Sequence, residues 1–501
     1  MSSMPLSKAS AVDAAYEHFP SFLRSRQKAK LLDSWQRGEQ YNLDPNDLDD
    51  DSLRFAGRPY RPRAAEVTDE FDDLAERSPN AFAGLVVTSL AQTAYVDGMR
   101  MPGSESNMKA WDTWQANRWD AKQGPIHRTA IGIGEAFGVT LPGKNPLTGD
   151  KMARMLARSP KRMAAFWDND DDEWCMFAID AVKVYEFAQG LGIRLHTGWS
   201  VQLIDEKVVH FLSCKGDGQQ KKDWTYIETR DHGVPVPPVA RLANKVDLDG
   251  RTTGEIEPVL PLLRRIDQGT FDRLIVQRFG AWKVRYIAGM AKPTGNDAQA
   301  TMLAMSLADF LVSPDHETKF GSIDSTDPKP FADLTDADLR MLSAITQTPP
   351  HHLLGLSSNL QAEALAAAES GLQRKSADFK MNAGEFHEQM ARLTALINGD
   401  REEANAFNMQ VRWRDTESRS LTQAAQALGT MAVQLKIPVE MLWERLPGWT
   451  DMDTERAKSI VEKGGIDQLL AEIAGGLGAT DGDSGPTENE QPKKSSSDDG
   501  Q

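Results

Sequence analysis

The sequence predicts an α+β protein that is mostly α-helical, and three features of the 501-residue chain indicate this fold class. A stretch of about forty residues ending near Asn398 contains no proline and has an apolar residue at every seventh position, as one long helix does. Shorter helical patterns fill much of residues 12–137 and 420–473. Between residues 139 and 229, short segments with alternating or β-branched residues are separated by turns, which indicates β-strands.

The N-terminal part of the chain predicts three helical stretches. The first runs from Val12 to Arg37 and is interrupted at Pro20, because proline removes a helical hydrogen bond. The second covers Ala64–Met99. The third covers Met108–Phe137, and a kink or break is expected where it passes through Gly124-Pro125.

Six short segments in the middle of the sequence have the character of strands: Val139–Leu141, Ala164–Trp167, Trp174–Val184, Arg194–Ile204, Lys207–Cys214 and Trp224–Thr229. The acidic run Asp168–Glu173 lies between two of them and is expected at the tip of a hairpin. Cys175 and Cys214 are expected to be buried thiols in strands. Two cysteines are too few for a disulfide framework or a four-thiolate metal site, and they fit a reducing compartment.

A proline-rich bridge at residues 232–239 is expected to be extended, because a residue before proline avoids the helical region. It leads to a second long helix, predicted over Ile256–Met290. Glu255 and Glu257 stand at its start, where carboxylates are favoured by the helix dipole. This helix is the second candidate strut of the fold.

The segment Lys292–Leu334 has a different composition. It contains one helical stretch, Asp297–Phe310, one strand-like piece, Leu311–Ser313, and several turns. The segment is too polar to form a core alone, so it is expected to need neighbours. A helix over Asp333–Thr346 follows it.

The most prominent pattern begins with a turn at Pro349–Gly355 and a polar link at Leu356–Asn359. The helix predicted over Leu360–Ile397 would be about 57 Å long at 1.5 Å per residue. Its apolar residues form two rows with seven-residue spacing: Leu365, Leu372, Phe379, Phe386 and Leu393, and Ala383, Met390 and Ile397. Such a helix is either the core helix of a large helical domain or a strut in an assembly.

After the long helix, the sequence predicts a strand over Met409–Arg414 and three helices over Ser420–Leu435, Pro438–Leu446 and Asp451–Ile473. Proline and aspartate at the starts of the second and third helices are typical of helix N-termini. From Gly475 onward the chain lacks apolar residues that would form a core, which predicts a disordered tail.

Composition limits the possible functions. The net charge is −16, which argues against a surface that holds nucleic acid tightly, because such binding rests on clustered Lys and Arg. A chain of this kind is still compatible with DNA that passes by without being held. No run of apolar residues is long enough for a membrane span, and no secretory leader is expected.

No local motif indicates catalysis. His387-Glu388 lacks the second histidine of a zinc-protease motif because residue 391 is alanine, and neither a nucleophile elbow nor a phosphate-binding loop occurs. The pair His351-His352 follows two prolines in a turn, so local packing and capping are expected of it. The sequence therefore predicts no catalytic residues, no metal site and no cofactor, although sites assembled from distant residues leave no local trace.

Several stretches resemble the portal proteins of tailed bacteriophages, particularly those of actinobacterial phages. The similarity is carried by Gly254–Leu262, Arg285–Met290, Thr348–Gly355 with Ser358-Asn359, Val411–Asp415 and Pro438–Leu442. It covers residues 239–457 well and the earlier part of the chain only in the order of its elements.

The resemblance implies a closed ring, usually of twelve subunits, around a central channel at one capsid vertex. In the portal architecture the regions would be the wing (1–238), the stem helices (239–291 and 335–354), the clip (292–334), the tunnel loop (355–361), the long helix and return strand from wing to crown (362–418), the helical crown (419–476) and the tail (477–501). Double-stranded DNA would pass through the channel during packaging and ejection, only weakly bound.

The resemblance also implies partners and a location. The partners would be the terminase large subunit, the major capsid and scaffolding proteins, and head-completion or adaptor proteins, with no membrane partner. The protein would be found at the portal vertex of the virion, and in the host cytoplasm during assembly.

Candidate channel residues follow from the same resemblance. The tunnel loop would present Gly355, Leu356, Ser357, Ser358, Asn359, Leu360 and Gln361 to DNA. The candidate channel cations are Arg374, Lys375 and Lys380 on the long helix. Alternatively, these residues lie on an exposed face of the helix and pair with Glu369 and Asp378. Gly371 and Gly384 are expected to permit bending or close approach of subunits.

Two other function classes remain open at this point. One is a phage DNA-processing enzyme, such as a metal-dependent nuclease or ligase, with Mg²⁺ held by an acidic loop like Asp168–Glu173. The other is a different structural protein of the capsid lattice or the tail adaptor, which would form hexamers or sheets and not a twelve-fold ring.

Overall fold

The computed structural model describes residues 6–41, 43, 69–102, 107–145, 147–168, 173–188, 193–280, 285–288, 319–322, 327, 329–355, 362–414, 421–443, 445–446, 449 and 451–462. Contacts within the chain divide it into two units, Met1–Thr416 and Glu417–Gln501. The clip helix and strand predicted within residues 297–313, the tunnel-loop residues 356–361 and the tail after residue 475 lie outside the described residues.

The first unit combines helices and antiparallel strands. Its helices are α1 (Lys8–Arg37), α2 (Asp69–Glu76), α3 (Phe82–Ala91), α4 (Lys109–Ala116), α5 (Trp119–Ile133), α6 (Leu260–Gly280), α7 (Lys329–Thr346), α8 (Pro350–Leu354), α9 (Ala362–Asn398) and α10 (Arg401–Ala404). No helix among the described residues is both long enough and apolar enough to cross a lipid bilayer. The predicted α+β class with a majority of helix is confirmed.

The strands of this unit are β1 (Val96–Arg100), β2 (Glu135–Lys144), β3 (Lys151–Arg158), β4 (Met163–Phe166), β5 (Phe177–Ala188), β6 (Ile193–Ile204), β7 (Val208–Lys215), β8 (Trp224–Asp231), β9 (Val239–Ala243), β10 (Lys245–Val246), β11 (Thr252–Thr253), β12 (Arg285–Ala288), β13 (Lys319–Ser322) and β14 (Gln410–Trp413). Strands β4 to β8 form a five-stranded antiparallel meander. Strands β3, β2 and β9 form a three-stranded sheet, and three two-stranded pairs join β1 to β14, β10 to β11 and β12 to β13.

The first helix covers one face of the meander. The predicted interruption at Pro20 is wrong, because α1 runs without a break from Lys8 to Arg37. Phe19 and Phe22 flank this proline and are buried, and Phe19 meets the rings of Trp199 and Trp224 edge to face at 5.6 and 5.1 Å. This aromatic burial offsets the hydrogen bond that the proline removes.

The next helices are shorter than predicted. Residues 96–100, expected at the end of a helix, form β1 instead, and its partner β14 lies more than 300 residues further along the chain. A kink or break was expected at Gly124-Pro125, and the helix is not broken there, because α5 runs from Trp119 to Ile133. The chain breaks at Arg118, which adopts a left-handed backbone conformation with φ 55°.

All six predicted strand segments are confirmed, but two further strands of the sheet that contains β2 were not predicted. These are β3 and β9, and only Val239 of β9 belongs to the bridge that was expected to be extended. Both pair with β2 and complete the three-stranded sheet. β4 and β5 pair antiparallel, as the hairpin predicted around residues 168–173 requires, and residues 169–172 at its tip lie outside the described residues. Cys175 and Cys214 are buried as predicted, but only Cys214 lies in a strand.

The helix predicted over Ile256–Met290 is only partly correct. A short 3₁₀ turn at Glu257–Val259 leads into α6, which ends at Gly280, and residues 285–288 form β12. β12 pairs antiparallel with β13, so the two ends of the segment between residues 289 and 318 lie side by side. α7 confirms the helix predicted over Asp333–Thr346 but begins earlier, at Lys329.

The long helix is confirmed as a single helix, α9, over Ala362–Asn398. The predicted rows are buried at Leu372, Phe379, Phe386 and Leu393, and at Ala383 and Met390. α9 crosses the sheet of β3, β2 and β9 and also packs against α4, α10 and β14. The largest apolar core, which runs from Ala29 to Met409 in sequence, is built around it.

At Gly138 of β2 the backbone of the sheet lies close to side chains of α9. A Cβ atom at this position would lie 2.5 Å from Met390 Sδ and 2.9 Å from the Phe386 ring. Gly371 and Gly384 of α9, which were expected to permit bending or close approach of subunits, have more space within the chain. A Cβ at Gly384 would meet only Glu388 Oε1, at 4.0 Å, and one at Gly371 only Gln347, at 3.9 Å.

The second unit is helical in its described residues. It contains α11 (Leu421–Leu435), α12 (Val439–Trp443) and α13 (Asp451–Glu462), which lie within the three predicted helices and confirm them over the described residues. α11 packs against α12. Several large apolar side chains of this unit are exposed: Val433, Leu435, Val439 and Met441.

Substitution of Gly138 and Gly384 by alanine tests the packing of α9 on the sheet. We expect Gly138→Ala to lower the free energy of unfolding by about 1–3 kcal/mol, because the added methyl group displaces the Phe386 ring. Gly384→Ala is expected to raise it by up to about 1 kcal/mol, because alanine favours a helix interior. Urea unfolding followed by tryptophan fluorescence measures both, and equal stability of the two variants would contradict this packing.

Candidate functional site

The candidate tunnel loop joins α8 to α9. Gly355 ends α8 in a left-handed conformation with φ 67°, which favours glycine, and its N–H donates to the carbonyl of His351 at 3.1 Å. Residues Leu356 to Gln361 lie outside the described residues, and α9 begins at Ala362. The structure therefore describes how the two ends of this loop are held.

The turn between α7 and α8, which precedes the loop, is held by buried hydroxyl groups. Ser343 Oγ donates to the carbonyl of Thr348 at 2.6 Å, and the Thr346 hydroxyl donates to the Thr348 hydroxyl at 3.0 Å. Leu353 of α8 is buried in the main core. Gln347 has a positive φ of 52°, which few residues other than glycine adopt. These contacts tie α8 to the end of α7.

Lys375 connects the same turn to α9. Its ammonium group is buried and donates to the carbonyl of Thr346 at 2.6 Å and to Glu255 Oε2 at 2.7 Å. The Glu255 carboxylate also accepts from Asn244 Nδ2 at 3.0 Å and pairs with Lys245 Nζ at 2.9 Å. Two segments 120 residues apart in sequence are thus joined by one carboxylate. We call Glu255, Lys375, Asn244 and Lys245 the Glu255 cluster.

The two buried charges of this cluster, those of Glu255 and Lys375, compensate each other. Burial raises the pKa of Glu255, but Lys375, Asn244 and Lys245 outweigh burial and leave the pKa below its usual value. Burial lowers the pKa of Lys375, and the Glu255 carboxylate opposes that shift. The positive charge of Lys375 is therefore neutralised inside the subunit.

The three candidate cations have different environments. Successive residues of an α-helix are about 100° apart around its axis, so positions 374, 375 and 380 point to three separate faces. Arg374 is exposed, and its Nε donates to the carbonyl of Ser370 at 3.4 Å. Lys380 is half-buried, with Nζ 6.0 Å from the centre of the Trp413 ring. They do not form a single row of cations.

The histidine pair has a partner that the sequence did not suggest. Glu369 Oε1 lies 3.0 Å from His351 Nε2 and 3.3 Å from His352 Nε2. The two imidazole rings meet edge to face with centroids 4.5 Å apart. Burial lowers the pKa of His352, and the Glu369 carboxylate opposes that shift. Glu369 had been expected to pair with a cation of α9.

A second pair of histidines connects α9 to α5. His127 Nε2 and His387 Nε2 are 2.9 Å apart, and both side chains are fully buried. His127 Nδ1 donates to the carbonyl of Ala94 at 3.1 Å, so its Nε2 accepts from His387 Nε2. Burial lowers the pKa of His127 to about 4 and holds the pKa of His387 well below its usual value. Both rings are neutral at pH 7.

Comparison with known proteins identifies the family. A family model described as phage portal protein, SPP1 Gp6-like, matches residues 22–468. The chain belongs to the phage portal protein family. The predicted resemblance to phage portal proteins is confirmed, and the family is a structural one.

The portal chain is also similar to individual proteins. It is 26% identical over 386 residues to the portal protein of Mycobacterium phage D29, covering 73% of this chain and 75% of the relative. It is 26% identical over 383 residues to the portal protein of Mycobacterium phage L5, with the same coverage. Both relatives come from actinobacterial phages, as the sequence analysis predicted.

Chains of gene transfer agent (GTA) particles are among the solved structures to which the portal chain is similar. A chain in the virion of the native particle has a TM-score of 0.44 and 11% identity, covering 76% of the portal chain and 96% of that chain. A chain in the neck of the native GTA particle, computed with C12 symmetry, has a TM-score of 0.44 and 11% identity over 78% and 95% of the two chains.

The Glu255 cluster of the portal chain is testable by substitution. We expect Glu255→Gln to lower the free energy of unfolding by about 3–5 kcal/mol, because it leaves the Lys375 ammonium buried without a carboxylate. Lys245→Met is the matched control, because Lys245 also pairs with Glu255 but its side chain is 60% exposed. This variant should lower the free energy of unfolding by less than about 1 kcal/mol. Urea unfolding at pH 7 measures both, and equal losses would refute the role given to Lys375.

Proposed function

We propose that this portal chain forms a closed ring of twelve subunits at one capsid vertex, and that double-stranded DNA is packaged and ejected through the centre of the ring. The observation that carries the proposal is the family match over residues 22–468. The partners would be the terminase large subunit, the major capsid and scaffolding proteins, and head-completion or adaptor proteins. Assembly would take place in the host cytoplasm, and the role would be structural and not catalytic.

The stem would consist of α6 and α7. These two helices pack together, and Arg265 of α6 forms two hydrogen bonds to the Asp338 carboxylate of α7. Leu334, Met341 and Ile345 of α7 are 65%, 48% and 55% exposed and follow each other at seven- and four-residue spacing. That spacing gives one apolar stripe on the helix, which supports contact with a neighbouring subunit.

The clip would lie between the stem helices, within residues 292–334. Pairing of β12 with β13 supports this assignment, because it brings residues 288 and 319 side by side. α7 begins at Lys329, so the last residues of the proposed clip already belong to the helix. The clip would be the part that docks the terminase.

The tunnel loop, residues 355–361, would face the DNA. The buried contacts at Thr346, Lys375 and Leu353 support this role, because they hold both ends of the loop to the core. Of the three candidate cations, Arg374 is the exposed one and would guide phosphate groups. The net charge of −16 per chain would keep the channel wall from retaining DNA.

Charge on the stem stripe tests the ring. Wild-type protein is expected to give particles with the mass of twelve subunits, and twelve-fold rings in electron micrographs. Met341→Glu combined with Ile345→Glu should give folded monomers, because carboxylates would be buried between subunits. Leu248→Glu is the matched control, and this variant should still form rings, since Leu248 is fully exposed and lies outside α6 and α7.

Native mass spectrometry and negative-stain microscopy measure these outcomes. A wild-type protein that remains monomeric at every concentration and salt would overturn the portal ring. Hexamers or sheets would instead favour a different capsid or adaptor role.

A lysine in the tunnel loop tests whether that loop faces DNA. Wild-type rings should bind duplex DNA with micromolar or weaker affinity at physiological salt. Ser358→Lys would add one cation per subunit around the channel, so we expect the dissociation constant to fall by about tenfold or more, with a steeper salt dependence. Thr148→Lys adds the same charge in an exposed turn and should change little.

Fluorescence anisotropy at several salt concentrations measures these affinities. A nanomolar, steeply salt-dependent affinity of the wild type would contradict the weak binding proposed for the channel. Equal effects of the two lysines would contradict the position proposed for the loop.

A further inference from the structure

Three potential metal ligands meet where α8 faces the start of α9. They are His351 and His352 of α8 and Glu369 of α9, and one ligand atom from each lies within 4.8 Å of the other two. Nε2 of each histidine approaches the same carboxylate oxygen, at 3.0 and 3.3 Å. Neither the family match nor the names of the relatives assign a role to these residues. From the sequence alone, only packing and capping were expected of the histidine pair.

The spacing of these atoms fits a tetrahedral zinc site. Zinc binds imidazole nitrogen and carboxylate oxygen at about 2.0–2.1 Å, which places two ligand atoms of a tetrahedron roughly 3.3 Å apart. The two measured nitrogen to oxygen distances are close to this value. Two imidazoles and one carboxylate form a ligand set that zinc uses, with a water molecule in the fourth position. We propose that His351, His352 and Glu369 bind one zinc ion per subunit.

The site is accessible but partly shielded. The side chains of His351, His352 and Glu369 are 13%, 31% and 27% exposed, so an ion can enter without unfolding of the core. The nitrogen ligands favour zinc or a similar transition-metal ion over Mg²⁺ and Ca²⁺, which prefer oxygen ligands. With a metal ion bound, both imidazoles would bind the ion and would no longer share one carboxylate oxygen of Glu369 as their partner.

Zinc at this position would connect the two ends of the segment at residues 356–361. His351 and His352 precede the segment and Glu369 follows it, so one ion closes a chain loop of fewer than twenty residues. The ion would restrict the motion of α8 relative to the first turns of α9. Binding takes place within one chain and does not depend on ring formation, so its test is separate from that of the proposed function.

The first test measures zinc affinity. Full-length protein is freed of metal with a chelator and titrated with Zn²⁺ in competition with a chromophoric chelator. We expect one zinc per subunit, and we expect Glu369→Gln and the double variant His351→Asn, His352→Asn to lower the affinity at least about tenfold. Glu385→Gln on the same helix and His196→Asn on β6 are the matched controls and should keep the affinity of the wild type. Mg²⁺ should not compete.

Two further measurements locate the ion. Zinc should slow amide hydrogen exchange at residues 350–355 and 367–372 in the wild type and the controls, but not in the site variants. X-ray absorption of the zinc-loaded wild type should show at least two imidazole ligands, and this readout does not depend on the folding of any variant. Three results would overturn the proposal: no zinc bound at micromolar concentration, equal affinity of site variants and controls, or sulfur ligands from the buried cysteines.

Discussion

The fold of the first unit depends on burial of one side of a single 37-residue helix. An isolated helix gains little stability from its own hydrogen bonds, so α9 requires partners along most of its length. The β3-β2-β9 sheet, α4 and β14 provide them. Gly138 brings the central strand of the sheet close enough for Phe386 and Met390 to pack against its backbone. The largest apolar core is organised around this contact.

Apolar burial alone does not specify the position of such a helix, because hydrophobic contact is not directional. Two buried polar contacts add direction. Lys375 reaches Glu255 and the turn before α8, and His387 reaches His127 of α5. The two positions on α9 are twelve residues apart, so a rotation or a shift of the helix would leave one of these groups unpaired in the core. That penalty favours a single arrangement of helix and sheet.

Local patterns predicted the elements whose own sequence determines them. The seven-residue spacing from Leu372 to Leu393 predicted α9, and alternation predicted the strands of the meander. Predictions failed where distant partners decide the outcome. Residues 96–100 and 285–288 continue a helical pattern but pair as strands with β14 and β13. The same holds for the candidate site. The adjacent pair His351-His352 is visible in the sequence, but no short motif indicates that Glu255 contacts Lys375 or that His127 contacts His387.

The pairing of β1 with β14 has a consequence for biosynthesis. Residues 96–100 emerge from the ribosome long before residues 410–413, and the core that runs from Ala29 to Met409 cannot close in the interval. During translation the first hundred residues therefore present an unpaired strand edge and unburied apolar side chains, which are the features that promote aggregation. Contacts of such high sequence separation form slowly. Completion of β14 is thus a late event in folding, and only chains that have reached it carry the finished surface of the first unit.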